Sequence, residues 1–282
     1  MILIDQTALL RKQLAQSKAK GRVAFVPTMG NLHEGHLALV REARALAETV
    51  VVSIFVNPLQ FSAGEDLDNY PRTMANDQAA LQAEGVDVLF VPAVMQMYPR
   101  PADQQTRVEV PGLSSLYCGA TRPGHFAGVA TVVCKLFNMV QPDVALFGKK
   151  DYQQLLVIRH MVEDLSMPIE IIGIDTVREV DGLAMSSRNQ YLNDTERAVA
   201  PVLRQQLQQL AVKLGKGEKD ISALRQLAVE NLDAAGFETD YVEFVDAETL
   251  QEMNEDTQHI VVLAAAKLGA ARLIDNIEVP LS

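Results

Sequence analysis

The chain has 282 residues, 48% of them hydrophobic, and a formal net charge of −11. That length points to about two domains, and that charge repels a nucleic-acid backbone from most of the surface. No apolar run approaches the roughly 18 residues of a membrane span, so neither a nucleic acid nor a membrane is an expected partner. The N-terminal "MILIDQTALLRKQLAQ" turns polar too early for a signal peptide. Cys118 and Cys134, with no C-x-x-C spacing, read as reduced thiols of a cytoplasmic protein rather than a disulfide framework or a zinc site.

In chain order, Asp5 is expected to cap a first helix over 6–19. "RVAFV" (22–26) reads as a buried strand and is followed by a helix from about His33 to Glu48. "TVVVSIFV" (49–56) is a nearly unbroken β-branched run, "ANDQAALQAEG" (75–85) a helix, and "VDVLFV" (86–91) another strand. "RPGHFAGV" (122–129) opens a helix reaching about Val140, and "DVALF" (143–147), "DYQQLLVIRHMVEDL" (151–165) and "IEIIGI" (169–174) complete the series. Continuous apolar strands alternating with helices predict a doubly wound parallel sheet of Rossmann-like α/β type. After about residue 175 the pattern changes to two polar helices (194–214 and 219–235) and strands over 240–247, 260–268 and 271–276. The expected organisation is therefore a domain over 1–175 and a smaller α+β domain over 176–282.

One stretch carries the clearest chemical signal. "VPTMGNLHEGHLALVREA" (26–43) passes from strand end to amphipathic helix with Gly30, His33, Gly35 and His36 at the junction. Residues three apart share a helix face, so His33 and His36 are expected to project together. A helix start offers N–H groups and a positive dipole end to an anion, and the glycines permit close approach of a ligand to the backbone. Two surface histidines at a turn are the plain alternative. A metal held by the pair ranks below both, because no third ligand is evident nearby. Both side chains are expected to face a ligand, so that their removal leaves folding untouched.

"PTMGNLHEGH" resembles the H-I-G-H type of nucleotide motif in the adenylyl-transferring α/β superfamily. "VSIFVNPLQF" (52–61), "RPGHFAGVATVVCKLFN" (122–138), "FGKKDYQQLLVIRHMVEDL" (147–165) and "DGLAMSSRNQYL" (181–192) narrow the resemblance to the pantoate–β-alanine ligase family over essentially the whole chain. The resemblance implies ATP-driven amide synthesis from pantoate and β-alanine through a pantoyl-adenylate, with Mg²⁺ and a homodimer. It implies ATP contacts along Met29, Gly30, Asn31, Leu32, His33, Glu34, Gly35 and His36, and again along Gly148, Lys149, Lys150 and Asp151. Val177 and Met185 would lie at the base. Gln60 and Gln154 would hold pantoate, with Gln60 serving β-alanine as well.

The residues at these positions also have readings of their own. Asn57 and Gln60 can hydrogen-bond a hydroxylated acid without adding negative charge, and Pro58 fixes the turn; an ordinary polar loop has the same composition. Lys149 and Lys150 are adjacent and point apart. Lys149 reads as solvated and Asp151 as a helix N-cap; the resemblance implies that Lys150 reaches the ATP phosphates and that Asp151 contacts the ribose. Ser186, Ser187 and Arg188 suit a triphosphate. They resemble the mobile K-M-S-K-S signature, but Ala184 stands in place of its first Lys and Arg188 in place of its Ser. The second domain is thus expected to be lid-like, carrying Ser186–Arg188 over the phosphates.

His33, His36, Lys150 and Arg188 are the expected catalytic groups. His125, near the pantoate pocket by resemblance, receives no catalytic role, and His160 and His259 read as structural. Asp66, Asp68 and Asp77 are candidate neighbours of Mg²⁺, although solvated loop acids are the default and the metal rides mainly on phosphates. A nucleotidylyltransferase would use the same H-x-x-H but needs more cations around its acceptor. A tRNA-binding protein needs a basic face that this chain lacks.

Overall fold

The computed structural model describes residues 1–62, 65, 67–254 and 257–281; Asp66, named above, lies outside them. Two compact units divide the chain, Met1–Lys149 with Gln154–Asp175, and Lys150–Gln153 with Thr176–Ser282. Lys150–Gln153 thus group with the second unit, where a single cut after 175 would assign them to the first.

The first unit is built on a six-stranded sheet: β1 (Ile2–Ile4), β2 (Val23–Thr28), β3 (Thr49–Ile54), β4 (Val88–Phe90), β5 (Val144–Gly148) and β6 (Glu170–Ile174). The order is β1-β4-β3-β2-β5-β6, with every neighbouring pair parallel. All six residues of β3 are buried, as the unbroken β-branched run requires of a strand covered on both faces. The helices are α1 (Thr7–Lys18), α2 (Glu34–Leu46), α3 (Met74–Ala83), α4 (His125–Val140) and α5 (Tyr152–Asp164), single-turn segments being left unnumbered. On one face Leu39, Val40 and Ala43 of α2 pack with Ala24, Val26, Val50, Val52 and Leu146. The intervening β2 residue, Phe25, turns to the other face, where Phe137 of α4 meets it edge-on at 6.3 Å. Each such fully buried side chain contributes roughly 1.5–3 kcal/mol.

The winding positions the site. From β2 the chain proceeds to β3 and β4 toward one edge, while β5 and β6 lie on the other side. The switch point therefore falls between β2 and β5, and ligands of such sheets bind beyond the carboxyl ends there. Two details differ from expectation. The edge strand β1 has no counterpart in the sequence reading, because three residues are too few for a period to register. Helix α1 starts at Thr7 with Gln6 at its cap and no side-chain cap bond, so Asp5 is not the N-cap.

The second unit contains α6 (Asp194–Val199), α7 (Val202–Gly215), α8 (Ile221–Ala234) and the antiparallel strands β7 (Glu238–Asp246), β8 (His259–Leu268) and β9 (Ala271–Pro280), with β8 central. Leu203, Leu207 and Leu210 of α7 and Leu224 and Leu232 of α8 pack against Val242, Phe244, Ile260 and Val262. The helix expected over 194–214 is broken between α6 and α7. Pro201 has no N–H to continue the ladder and its ring crowds the preceding turn. The last strand runs on to Pro280 because β8 pairs with it in continuous register from Leu268↔Ala271 to His259↔Pro280. Among the described residues no helix is long and apolar enough to cross a membrane.

Candidate active site

At the carboxyl end of β2 the two histidines form the cap of α2. His33 is extended (φ −130°, ψ 175°), and its Nδ1 accepts the N–H of Gly35 at 3.1 Å. The Nδ1 of His36 accepts the N–H of His33 at 3.3 Å. This is a capping box with imidazoles in place of the usual hydroxyl and carboxylate or carboxamide. Because Nδ1 of each ring is an acceptor, a neutral ring carries its proton on Nε2. The ring centroids are 4.1 Å apart, so the two imidazoles do project together.

The structure corrects the expectation of a bare helix start. The N–H groups of Asn31, Leu32, His33, Gly35, His36 and Leu37 all have acceptors within the protein. Most of the backbone donors at this helix start are thus already engaged within the protein. It also corrects the expectation that the histidines are irrelevant to folding, since each closes one bond of the cap. Glu34 pairs with Arg41 along the helix, and that guanidinium holds its carboxyl below the usual range. Met29 Sδ accepts from Gln60 Nε2 at 3.0 Å.

The turn after β3 carries the second group of residues. Asn57 is 1% exposed. Its Oδ1 accepts the N–H of Leu59 at 3.2 Å and the hydroxyl of Tyr98 at 2.7 Å, while its Nδ2 donates to the Gly128 carbonyl and to Gln60 Oε1, both at 3.1 Å. A backbone N–H can only donate and a backbone carbonyl can only accept, so the Asn57 amide has one permitted orientation. It forces Gln60 to turn Oε1 inward and to present Nε2. Asn57 is consequently a support for Gln60, not the substrate contact expected of it. Burial pushes the Tyr98 phenol well above its ordinary pKa, which keeps it a donor.

The backbone of Gln60 is held as well. Arg122 cannot accept, so at 3.0 Å from its Nη1 the Nε2 of His125 must be the acceptor, and His125 Nδ1–H donates to the Gln60 carbonyl at 2.7 Å. Arg122 is fixed in turn by both oxygens of Glu65 at 2.7 Å. Burial pushes the Glu65 carboxyl up, but the Arg122 guanidinium, with smaller help from the Ser62 backbone and His125, holds it below its ordinary value.

β5 ends at Gly148 and is followed by a 3₁₀ turn over Lys149–Asp151 and then α5, with Gln154 in the first turn. β3, β2 and β5 are adjacent, so Gln60, the H-x-x-H loop and Gln154 all follow the carboxyl ends of three neighbouring strands. Lys149 Nζ lies 2.9 Å from Asp175 Oδ1.

In the second unit, a short hairpin presents the MSSR segment. Met185 N–H donates to the Val177 carbonyl at 3.0 Å and Glu179 N–H to the Leu183 carbonyl at 2.8 Å, with Gly182 at φ +93° in the turn. Val177 and Met185 are thereby brought together. Arg178 grips Asp275 bidentately at 2.7 and 2.9 Å and also donates to the Gly182 carbonyl. Ser186 Oγ accepts the N–H of Arg188 at 3.2 Å and caps the 3₁₀ turn Ser187–Tyr191. Lys150 and Ser186, together with Asn189, Arg204 and Asp275, line one small cavity, and Asn276 Nδ2 holds the Lys150 carbonyl at 3.0 Å. Lys150 Nζ is 3.9 Å from Asp151 Oδ2.

Two of the acids named for Mg²⁺ lie among the described residues. Both oxygens of Asp77 are engaged by N–H groups of the β2 loop, Asp68 is exposed, and the described residues contain no cluster of three or more His, Cys, Asp or Glu able to hold a metal. Sequence reasoning missed Tyr98, the Arg122–Glu65 clamp and the Arg178–Asp275 pair. Only the proximity of Arg122 to "GHF" was a hint of any of them.

Fold and loop together define a class: a doubly wound α/β protein with an H-x-x-H helix cap at its topological switch, as in the nucleotidyl-transferring α/β superfamily. Residues 2–278 match the family model described as pantoate-beta-alanine ligase. The chain is 58% identical over 269 residues to the pantothenate synthetase of Shewanella baltica strain OS223, covering 95% of each chain. It superposes with a TM-score of 0.91 on the crystal structure of pantothenate synthetase from Thermus thermophilus, at 48% identity over 98% of this chain and 99% of that one. The pantoate-beta-alanine ligase from Francisella tularensis, solved in complex with beta-gamma ATP and beta-alanine, matches with a TM-score of 0.83 at 33% identity, covering 98% of this chain and 97% of that one. The chain belongs to the pantoate-β-alanine ligase family.

Proposed function

We propose that this chain condenses (R)-pantoate with β-alanine, consuming ATP and releasing AMP and pyrophosphate through a pantoyl-adenylate. The observation that carries the reading is the pairing of an imidazole-capped loop after β2 with a Gln60 amide of fixed polarity after the adjacent strand β3. Family membership and the nucleotide and amine bound by the Francisella relative support the choice of substrates.

In the first half-reaction the pantoate carboxylate attacks the α-phosphorus and pyrophosphate leaves. A carboxylate is already ionised, so the step needs charge stabilisation rather than a strong base. The Nε2–H groups of His33 and His36 serve the phosphates from the β2 loop. Lys150 and Arg188, with Ser186 and Ser187, serve them from the second unit. The expected adenosine contacts along Met29–His36 and at Val177 and Met185, and those at Gly148, Lys149 and Asp151, belong to the same proposal. Mg²⁺ enters with ATP as part of that substrate. Gln60 Nε2 donates to pantoate, a role shared with Gln154. In the second half-reaction the β-alanine amine attacks the acyl carbonyl and AMP departs, taking the electron pair of the cleaved acyl–phosphate bond. The reading includes a cytoplasmic homodimer, which sedimentation of the purified chain tests.

The test is pantoate-dependent exchange of labelled pyrophosphate into ATP with β-alanine omitted. Exchange is expected in the wild type, because the adenylate forms reversibly before the amine is needed. Arg188→Ala should reduce it strongly, yet should affect the reaction of supplied pantoyl-adenylate with β-alanine much less. Brisk complete turnover without exchange would overturn the free adenylate, and equal losses in both half-reactions would overturn the phosphate role of Arg188.

A further inference from the structure

Asp77, on α3, is 3% exposed. Its Oδ2 accepts the N–H of Asn31 at 3.0 Å and its Oδ1 the N–H of Leu32 at 2.9 Å. Thr73 Oγ1 donates to Oδ1 at 3.1 Å. The backbone is folded to meet it: Gly30 has φ +82° and Asn31 φ +51°. Successive N–H groups turned inward in a turn form a concavity, or nest, that binds anions. A Cβ on Gly30 would stand 3.1 Å from Asp77 Oδ2 and from Ile54 Cγ2, so a side chain there would crowd the carboxylate as well as strain a backbone at φ +82°. The nest in this loop is therefore filled by the protein's own anion, delivered from 46 positions away.

We propose that Asp77 is the positioning residue of the H-x-x-H loop: its carboxylate occupies the Asn31–Leu32 nest, sets the backbone entering the helix cap, and so aims the two imidazoles at the nucleotide. A second consequence follows from the same geometry. With the nest occupied, a phosphate cannot settle on these N–H groups, and the triphosphate is directed to the imidazoles and the side-chain cations. Asp77 touches no substrate in this account and acts only through His33 and His36. The proposal rests on the reading that this loop holds ATP, and the experiment separates the two.

Titrate α,β-methylene ATP by calorimetry into the full-length wild type, Asp77→Asn and His36→Ala, and measure KM for pantoate and kcat in parallel. Asn keeps the shape of Asp but offers one acceptor where two N–H groups need one each. Orphaning a buried donor predicts affinity for the analogue weaker by about tenfold to a hundredfold, with KM for pantoate within about twofold of wild type. Hydrogen exchange supplies a second readout: the Asn31 and Leu32 amides should exchange faster in Asp77→Asn while amides of α4 do not. If Asp77→Asn fails to fold, Thr73→Val, which removes one hydroxyl, should weaken analogue binding a few-fold in the same selective way. Unchanged analogue affinity in the folded Asp77 variant, with His36→Ala impaired, overturns the positioning role and leaves the ATP reading intact. Unchanged affinity in His36→Ala overturns the ATP reading itself. Equal loss toward analogue and pantoate would make Asp77 a support of the fold alone and likewise overturn the proposal.

Discussion

Adding one methyl group at Gly128 should cost this protein its grip on pantoate. A Cβ there would stand 2.2 Å from the Leu59 carbonyl oxygen, 2.5 Å from the carbonyl carbon and 2.8 Å from the Gln60 nitrogen. All three are backbone atoms, so no side chain can swing aside. Either α4 or the turn must move, by about 1 Å, to restore ordinary contact. α4 is the firmer partner, because Phe126, Val129, Ala130 and Val133 beside Gly128 are all buried. The turn carrying Gln60 yields, and the bond from Asn57 to the Gly128 carbonyl is strained with it. Overpacking of this kind costs about 1–3 kcal/mol, which is a fall of roughly 2–12 °C in melting temperature for a unit of this size. A displacement of about 1 Å in a positioning group costs about 10²-fold in rate. The assay is kcat/KM for pantoate and for ATP in Gly128→Ala, beside thermal unfolding. The loss should fall mainly on pantoate, since the β2 loop touches Gln60 through Met29 but its backbone is held by Asp77. Wild-type pantoate kinetics, or a loss confined to ATP, would refute the steric argument.

Three further outcomes are expected. His33→Ala and His36→Ala should each lower turnover by about 10²–10³ and also lower unfolding free energy by about 1 kcal/mol through loss of the cap; urea denaturation that shows no destabilisation would contradict the reciprocal bonds. Arg178→Met should destabilise the second unit by about 3–5 kcal/mol, because it strands the Asp275 carboxylate, whose side chain is 3% exposed, without its partner; a shift under about 1 kcal/mol in chemical denaturation would show that the pair is not the anchor of the MSSR hairpin. The Glu65 carboxyl is held below its unfolded value of about 4.3, so its contribution is present above that pH and is lost as pH falls through the lower, folded value. Glu65→Gln should therefore show a flatter dependence of stability on pH below about 4 than the wild type, and parallel curves would count against the clamp.

Much of the fold was legible because its signals are local. The unbroken apolar runs of β2, β3 and β5 announce strands covered on both faces, and the H-x-x-H with its glycines marks the strand-to-helix junction after β2 from spacing alone. What escaped depends on contacts between distant residues. Nothing near Asp77 reveals that its carboxylate meets the backbone at Asn31, and as one acid among several it read by default as solvated, with a place near Mg²⁺ as the alternative. Asn57 read as a substrate contact because an amide beside Gln60, where a strand ends, can hydrogen-bond a hydroxylated acid without adding negative charge. Its burial to 1% follows from Tyr98 and Gly128, which approach from other elements. The break at Pro201 is of a different kind, since the proline is in plain view and the helical pattern was read across it.

The short segment Lys150–Gln153 bears on how such a chain can be taken apart. The polypeptide passes between the units after 149, again after 153 and again after 175, so no single scission yields two intact halves. A fragment ending at 175 would retain Tyr152 but lose the Ala247 carbonyl and Glu278 carboxylate that its hydroxyl bonds, and would retain Lys150 without Asn276. A fragment beginning at 176 would lose the lysine assigned to the phosphates. Recombination between related genes meets the same constraint: a crossover near codon 175 transplants the MSSR hairpin while leaving behind the four residues it was matched to. The second unit can be inherited intact only if those four travel with it.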